Sequence, residues 1–198
     1  MMAFLYKKIN SFMAIFKNKL FKSASTYGIF SLINSAIPFL LMPVMTRYLS
    51  AEDYGIIAVS GMMVSIITPL ISLNVHFGYS RAYFSPERFD RDVYLGTALV
   101  FLFFSGFLTQ VIFYFFADHL SAIFVFPTSW ICIVPFITIT SLIGQTLLTS
   151  WQVSEQPRLY GFFQNSRSLS EMIGAIVFVV FLNMGWQGRI LSRISHVV

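Results

Sequence analysis

The chain has 198 residues, of which 57% are hydrophobic and 11% are charged, whereas an average soluble domain carries roughly 25% charged residues. More than half of it lies in four runs without Asp, Glu, Lys or Arg, at 23–46, 54–80, 93–117 and 119–154. Each run exceeds the roughly 20 apolar residues that cross a bilayer, so the composition excludes a single soluble core and predicts a polytopic membrane protein.

Charge and cysteine content exclude further classes. The net charge of +5 is not gathered into a basic cluster on a polar surface, so we expect no nucleic-acid partner. The single cysteine, Cys132, lies in an apolar run, which excludes a disulfide framework and a cysteine metal site. The chain has no phosphate-binding loop and no zinc-protease motif. We therefore predict no catalytic residues, no cofactor and no metal.

The first 22 residues predict a cytoplasmic amphipathic segment. Apolar residues recur there at helical spacing, accompanied by lysines: Leu5, Ile9, Phe12, Met13, Phe16 and Leu20, with Lys7, Lys8, Lys17, Lys19 and Lys22. Such a helix is typical of the surface of an anionic membrane leaflet. The alternative, the start of a signal peptide, is less favoured because the following apolar stretch is too long and no small-residue cleavage site closes it.

Residues 23–190 predict an all-α transmembrane helix bundle of about five spans, at 24–45, 55–76, 94–116, 130–151 and 160–182. The fourth is placed by Trp130 and Trp151, which lie 21 positions apart, or roughly 30 Å along a helix, as expected for one interfacial residue at each end. Gly185–Arg189 is interpreted as a short outer turn. Residues 191–198 are interpreted as a tail that begins an incomplete sixth helix.

The distribution of cations predicts the orientation. With the N-terminus in the cytoplasm, ten of the thirteen Lys and Arg residues fall on the cytoplasmic side. The outer side holds Arg47, Arg189 and Arg193. This asymmetry on short loops predicts a cytoplasmic N-terminus.

Polar side chains are concentrated in the fourth and fifth spans. They recur at helical spacing: Thr138, Ser141, Gln145, Thr149 and Gln152 in the fourth, and Gln164, Arg167 and Glu171 in the fifth, with Asn165 and Ser168 beside them. The Phe- and Leu-rich third span is predicted to face lipid. We interpret the polar faces as lining a substrate cavity, with Asn34 and Gln145 as hydrogen-bonding groups near mid-membrane. Arg167 and Glu171, four residues apart, could equally pair with each other.

Four segments carry a family resemblance: Ser-Ala-Ser-Thr-Tyr-Gly at 23–28, Pro-Val-Met-Thr-Arg-Tyr-Leu-Ser-Ala-Glu-Asp-Tyr-Gly at 43–55, Leu-Asn-Val-His-Phe-Gly-Tyr-Ser-Arg-Ala-Tyr-Phe at 73–84, and Gly-Trp-Gln-Gly-Arg-Ile at 185–190. Together they resemble the N-terminal part of bacterial polysaccharide-biosynthesis membrane proteins. These are the O-antigen and capsule flippases of the multidrug/oligosaccharidyl-lipid/polysaccharide exporter superfamily. The similarity runs from about residue 22 to 190.

The resemblance implies two six-helix lobes around a cationic cavity in the bacterial inner membrane. An undecaprenyl-linked oligosaccharide would cross by alternating access, driven by an ion gradient. In that picture Arg47 and Arg81 stand at the ends of the first two helices, and Arg167 is the best candidate for the pyrophosphate-linked head group. The implied partners are the lipid-linked oligosaccharide, membrane lipids and other polysaccharide assembly proteins.

The chain also departs from that family, whose members need about twelve spans. We therefore interpret it as a truncated N-terminal lobe and expect no transport by this polypeptide alone. Two alternatives stay open: a membrane-embedded glycan-processing enzyme, and a small structural or assembly membrane protein. The enzyme is less favoured because the longest segment between spans, near Tyr79–Val93, has only about 15 residues.

Overall fold

The computed structural model describes the backbone of residues 2–84 and 90–194, and the side chains of 21–84, 90 and 92–194. Every regular element within these ranges is helical, which confirms the all-α class. The α-helices in chain order are α1 Met2–Tyr48, α2 Ala51–Ser72, α3 Val75–Phe84, α4 Arg91–Phe115, α5 Ala117–Phe124, α6 Thr128–Ile131, α7 Ile133–Val153, α8 Pro157–Ala175 and α9 Gly185–Ser192. A π-helical segment, Ile176–Phe181, directly follows α8.

Four helical segments are long and apolar enough to cross a membrane: Phe21–Tyr48, Ala51–Ser72, Asp92–Phe115 and Thr128–Val153. Their 22 to 28 residues correspond to roughly 33–42 Å at 1.5 Å per residue, more than the hydrocarbon thickness. They overlap the first four predicted spans, so the polytopic helical architecture is confirmed.

The second span ends four residues earlier than predicted. Leu73 and Asn74 adopt left-handed backbone conformations, with φ of 39° and 57°, and this breaks the helix after Ser72. The chain then restarts as α3 at Val75. His76, predicted as the last residue of the span, therefore belongs to a separate short helix.

The fifth predicted span, 160–182, is helical over nearly its whole length. The 19 residues of α8 continue into the 6 residues of the π-helical segment, enough for roughly 37 Å. This helix is not among the four apolar segments, and it carries Arg158, Arg167 and Glu171. Its passage through the membrane stays a prediction.

In the N-terminal segment the structure describes the backbone of residues 2–20 but not their side chains. The backbone of α1 runs from Met2 into the first span without a break, so residues 2–22 of the predicted segment are continuous with that span. The side chains of its predicted apolar face and of Lys7, Lys8, Lys17 and Lys19 lie outside the described residues.

The predicted outer turn at 185–189 is instead the beginning of α9. Asn183 and Gly185 have positive φ values of 51° and 56°, so the chain reverses before Gly185 and turns helical at once. Gly188 then lies against the π-helical segment, where a Cβ would come within 2.8 Å of the Phe178 carbonyl carbon. Residues 195–198 of the predicted tail lie outside the described residues.

Helix α7 forms the centre of the bundle and packs against α2, α3, α4, α6 and α8. The main core lies where α2, α4, α7 and α9 meet, and its buried side chains include Met63, Ile71, Leu102, Leu142 and Ile190. On α4, Phe103, Phe104 and Phe107 are 70%, 67% and 59% exposed, as expected of a lipid-facing helix. Two of its polar side chains turn inward instead: Ser105 Oγ donates to the Ile71 carbonyl at 2.6 Å and Gln110 Nε2 to the Cys132 carbonyl at 3.0 Å.

Helix α1 is held mainly by α8 and the π-helical segment. The closest approach is at Gly161, where the ring of Phe30 occupies the space that a Cβ would need. A smaller core, which includes Leu41, Met45 and Val179, lies further along the contact of α1 with α8 and the π-helical segment. The α1–α8 interface thus depends on a residue without a side chain at position 161.

Substitution of Gly161 by Ala should therefore destabilise the protein by about 1–3 kcal/mol, because the added methyl group overpacks the contact with Phe30. Thermal unfolding of the purified protein in detergent measures the effect. Gly28→Ala is the matched control, since a Cβ at Gly28 has nothing within 4 Å. Equal melting temperatures for the two variants would contradict this account of the interface.

Candidate functional site

Helix α8 carries the polar side chains on which the candidate site depends. It begins at Pro157, so Arg167 lies ten positions and Glu171 fourteen positions along it, or roughly 15 and 21 Å. Helices α1, α7 and α9 all pack against α8. Polar side chains on its different faces therefore meet different neighbours.

Arg167 joins α8 to α7. Its Nη2 donates a hydrogen bond to Ser141 Oγ at 3.1 Å, and its guanidinium lies against Gly144, where a Cβ would come within 2.5 Å of Nη1. Ser141 belongs to the polar stripe predicted on the fourth span. The absence of a side chain at Gly144 provides the space that the guanidinium occupies.

Asn34 joins α1 to α8, because the hydroxyl of Ser168 donates to its Oδ1. Two further amides of α8 are buried: Asn165 is 9% exposed, and neither its Oδ1 nor Gln164 Oε1 has a hydrogen-bond donor among the described residues. A buried acceptor without a donor costs about 1–3 kcal/mol. Both oxygens are enclosed by protein atoms in this conformation.

Glu171 joins α8 to α9 through an ion pair with Arg189, at 2.8 Å from Oε1 to Nη1. The two side chains are 30% and 19% exposed. Arg189 also donates to Ser192 Oγ at 3.0 Å. The sequence leaves two interpretations open for Glu171: pairing with Arg167, or lining a cavity. The structure adds a third, because the close ion-pair partner of Glu171 is Arg189, on the next helix.

Arg189 and Arg193 are the residues that the sequence interpretation missed. From the sequence, both are predicted to lie on the outer side, and neither is assigned to the substrate cavity. In the structure Arg189 pairs with Glu171 of α8, and the Arg193 guanidinium lies beside Gly61 of α2. Glu171 is close enough to interact electrostatically with Arg167 and Arg193 as well. In the sequence, the spacing of four residues between Arg189 and Arg193 indicates that both side chains lie on one face of a helix.

We call Arg167, Glu171, Arg189 and Arg193 the cationic cluster. It contains three guanidinium groups and one carboxylate, hence a formal excess of two positive charges within the helix bundle. Like charges brought together in a half-buried setting are costly and favour an anion as partner. Chemically, the cluster suits a phosphate or pyrophosphate group.

The structure does not bring every predicted residue to this cluster. Arg47 and Arg81 lie in the last turns of α1 and α3, and both are exposed. Gln145 on α7 is exposed too. None of the three side chains makes a hydrogen bond or ion pair with the cluster among the described residues. Their roles as cavity residues stay predictions.

A sequence profile for the family described as polysaccharide biosynthesis protein matches residues 44–186. The chain belongs to this family. The matched region includes Arg167, Glu171 and Ser141, whereas Asn34, Arg189 and Arg193 lie outside it. No curated protein and no solved structure matches the chain.

Substitution of Glu171 by Gln should destabilise this polysaccharide biosynthesis protein by about 1–2 kcal/mol, because it leaves the guanidinium groups of α9 without their carboxylate in a half-buried setting. Melting temperatures in detergent report the loss. In the double variant Glu171→Gln/Arg189→Gln, the loss should be smaller than the sum of the two single losses. Additive losses would show that the ion pair does not join α8 to α9.

Proposed function

We propose that this chain is one lobe of a flippase that moves an undecaprenyl-linked oligosaccharide across the bacterial inner membrane. The observation that carries the proposal is the cationic cluster, which combines three guanidinium groups with one carboxylate in a half-buried position between helices. Membership of the polysaccharide biosynthesis family supports a glycan-lipid as the transported molecule.

The chemistry of such a lipid matches the two kinds of group in the site. Its pyrophosphate is an anion that arginine binds with paired hydrogen bonds, and Arg167 is the first candidate to contact it. Its sugars present hydroxyl groups, which could donate hydrogen bonds to the amide of Gln164, three residues before Arg167 on the same side of α8. In this proposal the cluster binds the anionic part, and Gln164 binds the adjoining sugar.

The proposed mechanism is alternating access, in which two helical lobes rock about a shared cavity. The cationic cluster belongs to one such lobe, and a second lobe would form the opposite wall. We therefore propose that transport needs a second lobe in addition to residues 1–198, and that an ion gradient drives it. The proposed role is transport, not catalysis.

Reversing the charge of Arg167 tests the substrate site. In Arg167→Glu, binding of a short-chain prenyl-pyrophosphoryl oligosaccharide to the purified protein in lipid nanodiscs should weaken at least about tenfold, since a favourable contact becomes repulsive. Arg158→Glu is the control, because Arg158 is exposed and is not among the predicted substrate residues. If both variants weaken binding equally, or neither does, the cluster is not the binding site.

Expression of residues 1–198 alone in a flippase-deficient strain tests the need for a second lobe. We expect no restoration of surface polysaccharide. Restoration would show that these residues transport by themselves and would overturn this part of the proposal.

The proposed orientation puts Lys22 and Arg158 on the cytoplasmic side, and the structure brings these two side chains to the same end of the bundle, where they line one cavity. In a Cys132→Ser background, a cysteine at Ser23 should be shielded from a membrane-impermeant thiol reagent in intact cells, and one at Ser50 should react. The opposite labelling pattern would contradict the proposed orientation.

A further inference from the structure

A cavity of about 470 Å³ opens between α1 and the connection from α7 to α8. Its walls are Lys22, Ser23 and Thr26 from α1, and the stretch Glu155–Leu159. We call it the α1–α8 pocket. None of the proposed substrate residues lines it, so the proposed function leaves it unassigned.

The pocket is basic and hydroxyl-rich. Lys22 and Arg158 approach from its two walls, although they are 136 positions apart in the chain. Glu155 is the acidic residue in the lining, so the described charges leave an excess of one positive charge. The pocket also lies at the first turn of α8, whose N-cap residue Gln156 makes no side-chain cap; this end adds positive potential but does not define the site.

The surroundings of the pocket are those of a membrane interface. Directly after the lining residues Thr26 and Leu159, Tyr27 and Tyr160 pack edge to face, with ring centroids 5.3 Å apart. Trp151 and Phe163 pack in the same way at 5.0 Å. Tyrosine and tryptophan are enriched where the lipid head groups meet the hydrocarbon. Leu159 and Phe162 on α8 are 52% and 74% exposed, which gives an apolar surface beside the basic one.

We propose that the α1–α8 pocket binds the phosphate group of an anionic phospholipid and thereby clamps α1 to the beginning of α8. A cavity of this size falls within the range of roughly 300–1,000 Å³ that holds small organic groups. The basic walls suit a phosphate, and the exposed side chains of α8 suit acyl chains; a free phosphate ion would use only the first. The inference does not depend on the transported molecule. Assignment to the cytoplasmic leaflet rests on the proposed orientation.

The test measures binding of fluorescent phosphatidylglycerol to the purified full chain in detergent, with phosphatidylcholine as the zwitterionic comparison. Phosphatidylglycerol should bind more tightly. The double variant Lys22→Gln/Arg158→Gln should weaken its binding at least about tenfold, since each cation near a membrane surface contributes roughly fivefold. The control variant Arg47→Gln removes an exposed charge at the other end of α1 and should leave the affinity unchanged.

Glu155→Gln is expected to change the affinity for phosphatidylglycerol in the opposite direction. It removes the negative charge from the pocket and should tighten binding of phosphatidylglycerol severalfold, an effect that loss of folding cannot imitate. Circular dichroism confirms the fold of each variant. Unchanged affinity in the folded double variant, or weaker binding in Glu155→Gln, would overturn the proposal.

Competition with inorganic phosphate distinguishes the two sources of the anion. At millimolar concentration it should not displace phosphatidylglycerol, because it gains nothing from the apolar surface of α8. Full displacement would overturn the assignment to a lipid. If Arg167→Glu loses substrate binding but still binds phosphatidylglycerol normally, the substrate site and the α1–α8 pocket are separate sites.

Discussion

A polar side chain inside a membrane bundle must find its hydrogen-bond partner on a neighbouring helix, because hydrocarbon offers none. In this protein α8 carries amides, hydroxyls and charges along its length, and the constraint applies to it if it crosses the membrane as predicted. Ser168 meets Asn34 of α1, Arg167 meets Ser141 of α7, and Glu171 meets Arg189 of α9. Each of the three contacts joins α8 to a different neighbouring helix.

Close approach of the helices makes these contacts possible. Gly144 leaves room for the Arg167 guanidinium, and Gly161 leaves room for Phe30. At the far end, Gly185 and Gly188 let α9 turn back against the π-helical segment and return into the bundle. The same return places Arg189 and Arg193 among the charges of α8. The cationic excess is therefore a consequence of backbone geometry as much as of composition, and the proposal of an anionic substrate rests on it.

The proposed substrate cluster and the α1–α8 pocket use the same chemistry at different depths. The cluster gathers arginine in the interior, where an anion can offset the cost of burying charge. The pocket gathers Lys22 and Arg158 at the level of the aromatic pairs, where charge remains accessible to water. One site would select what crosses the membrane. The other would hold α1 in position relative to α8.

The sequence alone determined the class of protein and the positions of four spans, since charge-free runs of 24 to 36 residues leave no other way to bury their backbone polar groups. It also predicted the polar faces of the fourth and fifth spans, because helical spacing puts Ser141, Arg167 and Glu171 in rows. Tertiary structure decided the partners. Glu171 pairs with Arg189 and not simply with its neighbour on the same helix, because the reversal at Gly185 brings α9 alongside α8. The end of the second span at Ser72 likewise depended on left-handed conformations at Leu73 and Asn74, which an apolar run does not reveal.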